Sequence, residues 1–302
     1  MLTGIDHVII GVNNLEQATA IFSQKLGLTP SGGGKHPTGG TSNRIIVIGD
    51  TYLELITMHA PEEAQQSMRE RLAKGDGYLN CVFTSDNIAA DSEVMRQRNI
   101  TIVGPNEGKL IEADGRSRSW TRIDIERRDL TQHHPFIIQH DSTGEERRFK
   151  LAGWRTPPEH PLGAMKVIST TVAVPDLVEA TAHFRHIYDL TASDVAAGTG
   201  KHWNARISAF LLGESGQSIE LAMPMDSSPQ KGQFPEPGAL EHYLRRFGEG
   251  LCRMTLGVKN ITAARRYLDT QQVAYTLFVE PQAELWIYPN QACGAAIVLR
   301  EI

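Results

Sequence analysis

The sequence predicts an α+β fold made of four βαβββ modules, arranged as two tandem domains over residues 1–142 and 165–302. Three observations predict it. The run HVIIGVNNLEQATAIFSQKLGLTPS, from His7, lies over STTVAVPDLVEATAHFRHIYDLTAS, from Ser169. The overlay matches Val12 with Val174, Leu15 with Leu177, Phe22 with Phe184 and Leu28-Thr29 with Leu190-Thr191. Weaker copies begin at Asn80 and Arg253. Every copy reads as a β-rich run, a polar turn ending in Asn or Asp, and an amphipathic helix, with further β-rich runs after it.

The first copy shows the physical logic. Val8, Ile9 and Ile10 are β-branched and suit a pleated strand. Asn13 and Asn14 offer side-chain oxygens to cap the following helix. Leu15, Ala18, Phe22 and Leu26 recur at helical spacing and form one apolar stripe, and Gly27 suits the helix end. In the third copy Pro175-Asp176 takes the turn and cap. The later strands of the first unit are a Gly-rich stretch, RIIVIG and TYLELITM. The second unit has SWTRIDIE and PFIIQHD, the third ARISAFLLG and SIELAMPM, the fourth AELWIYP and AAIVLREI. This order favours curved mixed sheets with the helices outside. Residues 59–77 read as a charged surface helix, and residues 143–164, with a charge cluster and three prolines, as the linker between the halves.

Composition narrows the function. A net charge of −5 with 22% charged residues gives no reason to expect nucleic acid or an anionic membrane as partner. No run approaches the roughly 20 apolar residues of a membrane span. The start, MLTGIDHVIIGV, carries Asp6 and His7 inside its apolar run, unlike a secretory leader. Cys81, Cys252 and Cys293 have no metal spacing and read as reduced thiols. The expectation is a cytoplasmic protein with a small-molecule substrate, with a homodimer left open.

The layout resembles the vicinal oxygen chelate superfamily, with its glyoxalase/bleomycin-resistance/dioxygenase fold. That superfamily includes glyoxalase I, extradiol dioxygenases, epimerases and antibiotic-resistance proteins. Within it, the chain is most similar to the glyoxalase-like domain proteins. The motifs are DHVII (6–10), GGGKHPTGGTSN (32–43), YLELI (52–56), a DG followed by WTR (114–122) and PFIIQHD (135–141). The resemblance implies two units pairing around a cavity, with one divalent metal held by residues on first and last strands. Carried onto this chain, the ligands are His7, Glu54 and Gln139, with Asn80 at the remaining position as ligand or substrate contact. An imidazole and a carboxylate suit Zn, Fe, Mn or Ni.

The residues support part of this directly. Tyr52, Glu54 and Ile56 share a strand face, and a carboxylate buried there without a partner would be costly. By strand alternation Gln139 shares the site face and His140 the other, unless a bulge reverses them. His36 in the Gly-rich segment is a candidate acid/base or substrate contact. Trp120 and Arg122 alternate on one strand, as an apolar wall and an anion clamp. His133 and His134 read as surface histidines in a turn, and His202 and Trp203 carry no role.

The second half reads as vacated, with Ser169 and Arg253 where His7 would stand, and Glu220 and Val298 where Glu54 would stand, so that Glu220 survives alone. The function expected is a metal-dependent lyase, isomerase or hydrolase on a small oxygen-rich or carbonyl-containing metabolite. There Glu54 or a nearby His moves a proton. The alternatives are a ring-cleaving extradiol-type dioxygenase, which needs two His and a carboxylate, and a non-catalytic drug-binding protein.

Overall fold

The computed structural model describes residues 2–302 except 37, 112–114, 127–133, 191, 201–203, 226–233, 235 and 237–238, and for 192–200 it describes the backbone only. His133, His202 and Trp203 lie outside the described residues.

Four βαβββ units follow one another. The first has β1 (Leu2–Gly11), α1 (Leu15–Ala20) with a π-helical turn at Ile21–Lys25, β2 (Thr41–Ile48) and β3 (Thr51–Met58). Its remaining strand is reduced to isolated bridges, Gly32 to Ile45 and Lys35 to Ser42. After the connecting helix α2 (Gln66–Ala73), the second unit has β4 (Gly77–Ser85), α3 (Ile88–Gln97), β5 (Ile102–Ile111), β6 (Ser117–Ile125) and β7 (Phe136–His140). Helix α4 (Gly144–Ala152) separates it from the third unit: β8 (Ala164–Ala173), α5 (Leu177–Tyr188), β9 (Ala192–Gly200), β10 (Ala205–Leu212) and β11 (Gln217–Pro224). Helix α6 (Ala239–Phe247) precedes the fourth: β12 (Gly250–Val258), α7 (Ile261–Thr270), β13 (Tyr275–Phe278), β14 (Glu284–Ile287) and β15 (Ala296–Glu301).

The capping logic recurs in every unit. Asn14, Asn87, Asp176 and Asn260 each accept a backbone N–H from the first turn of the unit's helix. Asn13 instead donates through Nδ2 to Asp76 (2.8 Å) and ties the first helix to the start of β4.

The units pair two by two. One sheet runs β2-β3-β1-β4-β7-β6-β5 and the other β13-β14-β15-β12-β8-β11-β10-β9. At the centre of each, the two first strands pair antiparallel, and each is flanked by the parallel last strand of its own unit. The sequence repeat is thus a repeat of topology.

One face of each sheet carries the unit helices, but those helices are not simply outside. The two helix-bearing faces close on each other in one core that includes Phe22, Phe83, Phe184 and Phe210. The Thr170 hydroxyl meets Cys81 Sγ (3.7 Å), and Tyr78 and Tyr188 donate across to Ala296 O (2.7 Å) and Pro135 O (2.6 Å). Both other faces therefore point away from the shared core.

What covers those outward faces differs. In the second sheet, α6 lays Ala239, Leu240 and Tyr243 against Ala173, Ala222, Cys252, Trp286 and Val298. In the first, α4 is the one helix among the described residues that reaches the face, packing Leu151 and Ala152 on Ile45, Val47 and Tyr52. Residues 143–164 are thus more than a linker. Glu145 and Glu146 favour the first turn of α4, and Gly153 at φ +78° ends it.

His160 anchors the rest of that segment. Its Nδ1 accepts from Thr29 N (3.0 Å), so its Nε2–H donates to Val47 O (2.8 Å). Burial pushes its pKa below the ordinary histidine value. The unfolded chain therefore binds the extra proton first as pH falls. The stability from His160 is present above about pH 6.5 and is lost as pH falls through the depressed folded value. Urea midpoints at pH 7.5 and 5.5 should fall with pH in the wild type, and His160→Leu should flatten that slope; an unchanged slope would show that His160 does not titrate this way.

Candidate functional site

The outward face of the first sheet is built around a bulge in β1. Ile5 faces Phe83 and His7 faces Val82, so Asp6 is an extra residue in the register. A bulge breaks the strict alternation of a strand. Asp6 and His7 consequently turn to the same side, while Val8 and Ile10 enter the core.

Asp6 is almost completely buried and is shared by three partners. His7 Nδ1–H donates to Oδ1 (2.7 Å), Arg147 Nη2 to Oδ2 (2.6 Å), and His140 Nε2 lies 3.3 Å from Oδ2. Burial alone would raise its pKa, but Arg147, His140 and His7 together hold it well below the usual carboxylate range. With Nδ1 protonated by this contact, a neutral His7 presents the lone pair of Nε2. That nitrogen points at Glu54 Oε2, 3.8 Å away. The His7 ring stacks on Tyr52 (4.4 Å between centroids) and meets the edge of Phe136 (6.0 Å). Burial first, then Asp6 and Glu54, push the Tyr52 phenol well above its ordinary value, so it stays protonated.

Glu54 is buried on β3, opposite Ile9 of β1 and Ile45 of β2. Asn43 Nδ2 donates to Glu54 Oε1 (2.6 Å) and to His36 Nε2 (3.1 Å). His36 Nε2 lies 3.6 Å from the same Oε1, and its Nδ1 is 2.7 Å from the Thr41 hydroxyl. Since Asn43 donates to Nε2, the proton of a neutral His36 is on Nδ1. The Gly-rich segment is zipped to β2 through Gly34 N to Asn43 Oδ1 (3.0 Å), Asn43 N to Gly34 O (2.8 Å) and His36 N to Thr41 O (2.8 Å). Gly33 has φ +124°, and a Cβ there would run into the Asn43 carbonyl.

The other expected residues divide. Trp120 and Arg122 do share this face, opposite His140 and Ile138, and Trp120 packs with Ile9, Val82, Phe136 and Ile138. Arg122, however, is held by Asp124 (2.7 and 2.5 Å) and lies 3.6 Å over the Phe136 ring. It stiffens the apolar wall and is not an open clamp.

Gln139 must be corrected. Its Oε1 accepts from Ile88 N (2.9 Å) and its Nε2 donates to Asp86 O (2.9 Å), on the helix side of the sheet. His140 takes the face expected for Gln139 and is bound to Asp6. The parity is one residue out, because β7 pairs with β4 as Val82 to Phe136 and Thr84 to Ile138, which puts Phe136, Ile138 and His140 on the outward face. Asn80 is also engaged, donating to His134 O (3.1 Å). The His134 ring packs between Phe184 and Tyr188.

Sequence reasoning gives no role to Asp6, Asn43 or Arg147: Asp6 lies beside His7 in DHVII, Asn43 inside the Gly-rich motif, and Arg147 in the charge cluster EERRF. The signal for Arg147 was the helix pattern around it, with Glu at the start and Gly at the end.

In the second sheet the same positions carry different chemistry. Arg253 Nη2 donates to Glu220 Oε2 (2.6 Å), Thr171 Oγ1 donates to the same oxygen (2.7 Å), and Arg253 stacks over Trp286. Burial favours the neutral Glu220, but Arg253 and Thr171 outweigh it and lower its pKa. A guanidinium thus neutralises the carboxylate of the second sheet.

A hollow of about 540 Å³ lies off the site, lined by Arg116, Ser117, Glu146, Phe149, Lys150 and Arg155. Its lining holds no imidazole, unlike the His7–Glu54 cluster.

Arg147 gives a test of this network. Arg147→Ala leaves the buried Asp6 with a weaker counter-charge and should cost about 3 kcal/mol of stability in urea. Arg148→Ala, which removes a partner from the exposed Asp50, should cost less than about 1 kcal/mol. Equal effects would show that Asp6 does not depend on Arg147.

The comparisons agree with this architecture. The model of the glyoxalase-like domain family matches residues 5–188. A hypothetical protein from Staphylococcus aureus superposes with a TM-score of 0.68 over all of both chains, at 13% identity. A mutant 4-hydroxymandelate synthase from Streptomyces coelicolor superposes with a TM-score of 0.69 over 99% of this chain and 92% of that one, at 12% identity. At such identities both show the fold alone. No curated protein matches the chain by sequence. With four βαβββ units in two sheets and a family match over more than half its length, the chain belongs to the glyoxalase-like domain family of the vicinal oxygen chelate superfamily.

Proposed function

We propose that this chain is a metal-dependent enzyme of the vicinal oxygen chelate type, acting as a lyase, isomerase or hydrolase on a small oxygen-rich or carbonyl-containing metabolite. The observation that carries the reading is His7. Its Nδ1 is fixed on a buried carboxylate and its Nε2 faces a second buried carboxylate, Glu54. A metal-ligating histidine is typically oriented in this way by an outer-shell carboxylate.

The donor set fits a divalent ion. Among the described residues no three His, Cys, Asp or Glu side chains are already placed around one point as a metal needs. The gap of 3.8 Å between His7 and Glu54 is nonetheless within about 1 Å of the roughly 3 Å that separates neighbouring ligands in metal sites. His7 and Glu54 would hold the ion. Such an ion acts as a Lewis acid on adjacent substrate oxygens.

The chain's own groups supply the rest. Trp120, Phe136 and Ile138 form an apolar wall beside His7 that excludes water from the reacting atoms. Glu54 takes the proton from a C–H beside the carbonyl. Without the ion, Asn43 fixes the Glu54 carboxylate by a hydrogen bond to Oε1. Tyr52, kept protonated, is a donor on the same face.

A second reading has one observation in its favour. His36 joins His7 at Glu54, giving the two imidazoles and one carboxylate that ring-cleaving dioxygenation requires. Oxygen uptake by the Fe(II)-loaded protein on catechols separates the two readings.

Glu54→Ala and His7→Ala should each abolish the metal content of the purified protein, read by elemental analysis, with circular dichroism unchanged. Unchanged metal content in Glu54→Ala would sink the assignment. Glu220→Gln, in the filled half, should lower stability through Arg253 while metal content stays the same.

A further inference from the structure

We infer that His36 is the third protein ligand of this metal site, so that the first βαβββ unit supplies His7, Glu54 and His36 and the second unit supplies none. The inference rests on the metal reading above and changes who completes the site.

Both histidines are prepared in the same way. His7 gives its Nδ1 proton to Asp6 (2.7 Å), and His36 gives its own to the Thr41 hydroxyl (2.7 Å). Each then turns Nε2 toward a different oxygen of one carboxylate: His7 toward Oε2 at 3.8 Å and His36 toward Oε1 at 3.6 Å. Glu54 is therefore bracketed by two unprotonated nitrogens. A cation between Glu54 and either imidazole would draw that gap in by less than about 1 Å to reach ordinary ligand separations. No three such groups stand ready-made around one point among the described residues, so the ion must gather them.

The side chains expected from the second unit are committed elsewhere. Gln139 is bonded to the backbone at Asp86 and Ile88, Asn80 to His134 O, and His140 to Asp6. His36, by contrast, is placed for the task by main-chain bonds between the Gly-rich segment and β2. Its side chain is partly exposed, which leaves the cation a way in.

Asn43 explains how the site stands without an ion. Its two amide hydrogens sit between His36 Nε2 and Glu54 Oε1 and satisfy both acceptors. A cation replaces those two hydrogens, and the Asn43 Oδ1 bond to Gly34 N keeps the segment in register. Two imidazoles and one carboxylate suit Zn, Fe, Mn, Co or Ni and leave positions open.

The test is Zn²⁺ titration of metal-stripped full-length protein by calorimetry, with X-ray absorption on the Zn²⁺-loaded form to count imidazoles. The expected wild-type count is two. His36→Ala should reduce it to one and weaken Zn²⁺ by more than about 100-fold, beyond the roughly 10- to 100-fold of losing an outer partner. Thr41→Val, which keeps His36 but removes its Nδ1 acceptor, should weaken Zn²⁺ by roughly 10-fold. Gln139→Ala should bind as wild type. Metal-free melting temperatures of the variants show that each is folded. If His36→Ala binds as wild type while His7→Ala and Glu54→Ala do not, the inference is overturned and the metal reading stands. If the wild type binds none of Zn²⁺, Mn²⁺, Co²⁺ or Ni²⁺, both fall.

Discussion

A single buried carboxylate organises the first half of the molecule. Asp6 binds one group from its own strand, one from β7 and one from α4. A charge in such a place is tolerable only when it is paired and hydrogen-bonded. The need to satisfy Asp6 therefore fixes the His7 tautomer, the seat of α4 and the facing of His140 at once. The β1 bulge makes this geometry available, because it turns Asp6 to the side of His7.

The second half solves the same problem with different parts. Arg253 and Thr171 satisfy Glu220 from within, and α6 covers the rest of the face. Two sheets of matching topology thus carry opposite solutions: one keeps its carboxylate among lone-pair donors, and the other neutralises it permanently with a guanidinium. Fold likeness cannot distinguish them, which is why function must be read from side chains.

Much of this was legible in the sequence. The repeat, the four Asn or Asp caps and the later strands came from periodicity and turn chemistry, which are local. His7, Glu54 and His36 were legible through the resemblance, because DHVII, YLELI and the Gly-rich segment are short motifs within one unit. Gln139 was not readable, because its facing depends on the register of β7 against β4 and β6. Asp6 depended on a bulge, which inserts a residue without any marked composition. Arg147 was hidden because its partner is 141 positions away and its segment looked like a connector.

The shared core has an implication for how such a chain arises. Either half alone would expose the apolar, helix-bearing face that now closes on the other half. A single ancestral half with that surface would pair with a second copy of itself, by isologous contact of the same face. Joining the two copies in one polypeptide makes the partner permanent and equal in number. It also ends the symmetry that had forced both copies to change together. From that point one copy could pair its buried carboxylate with a guanidinium while the other kept its imidazoles, and the contact between them needed to preserve only its shape.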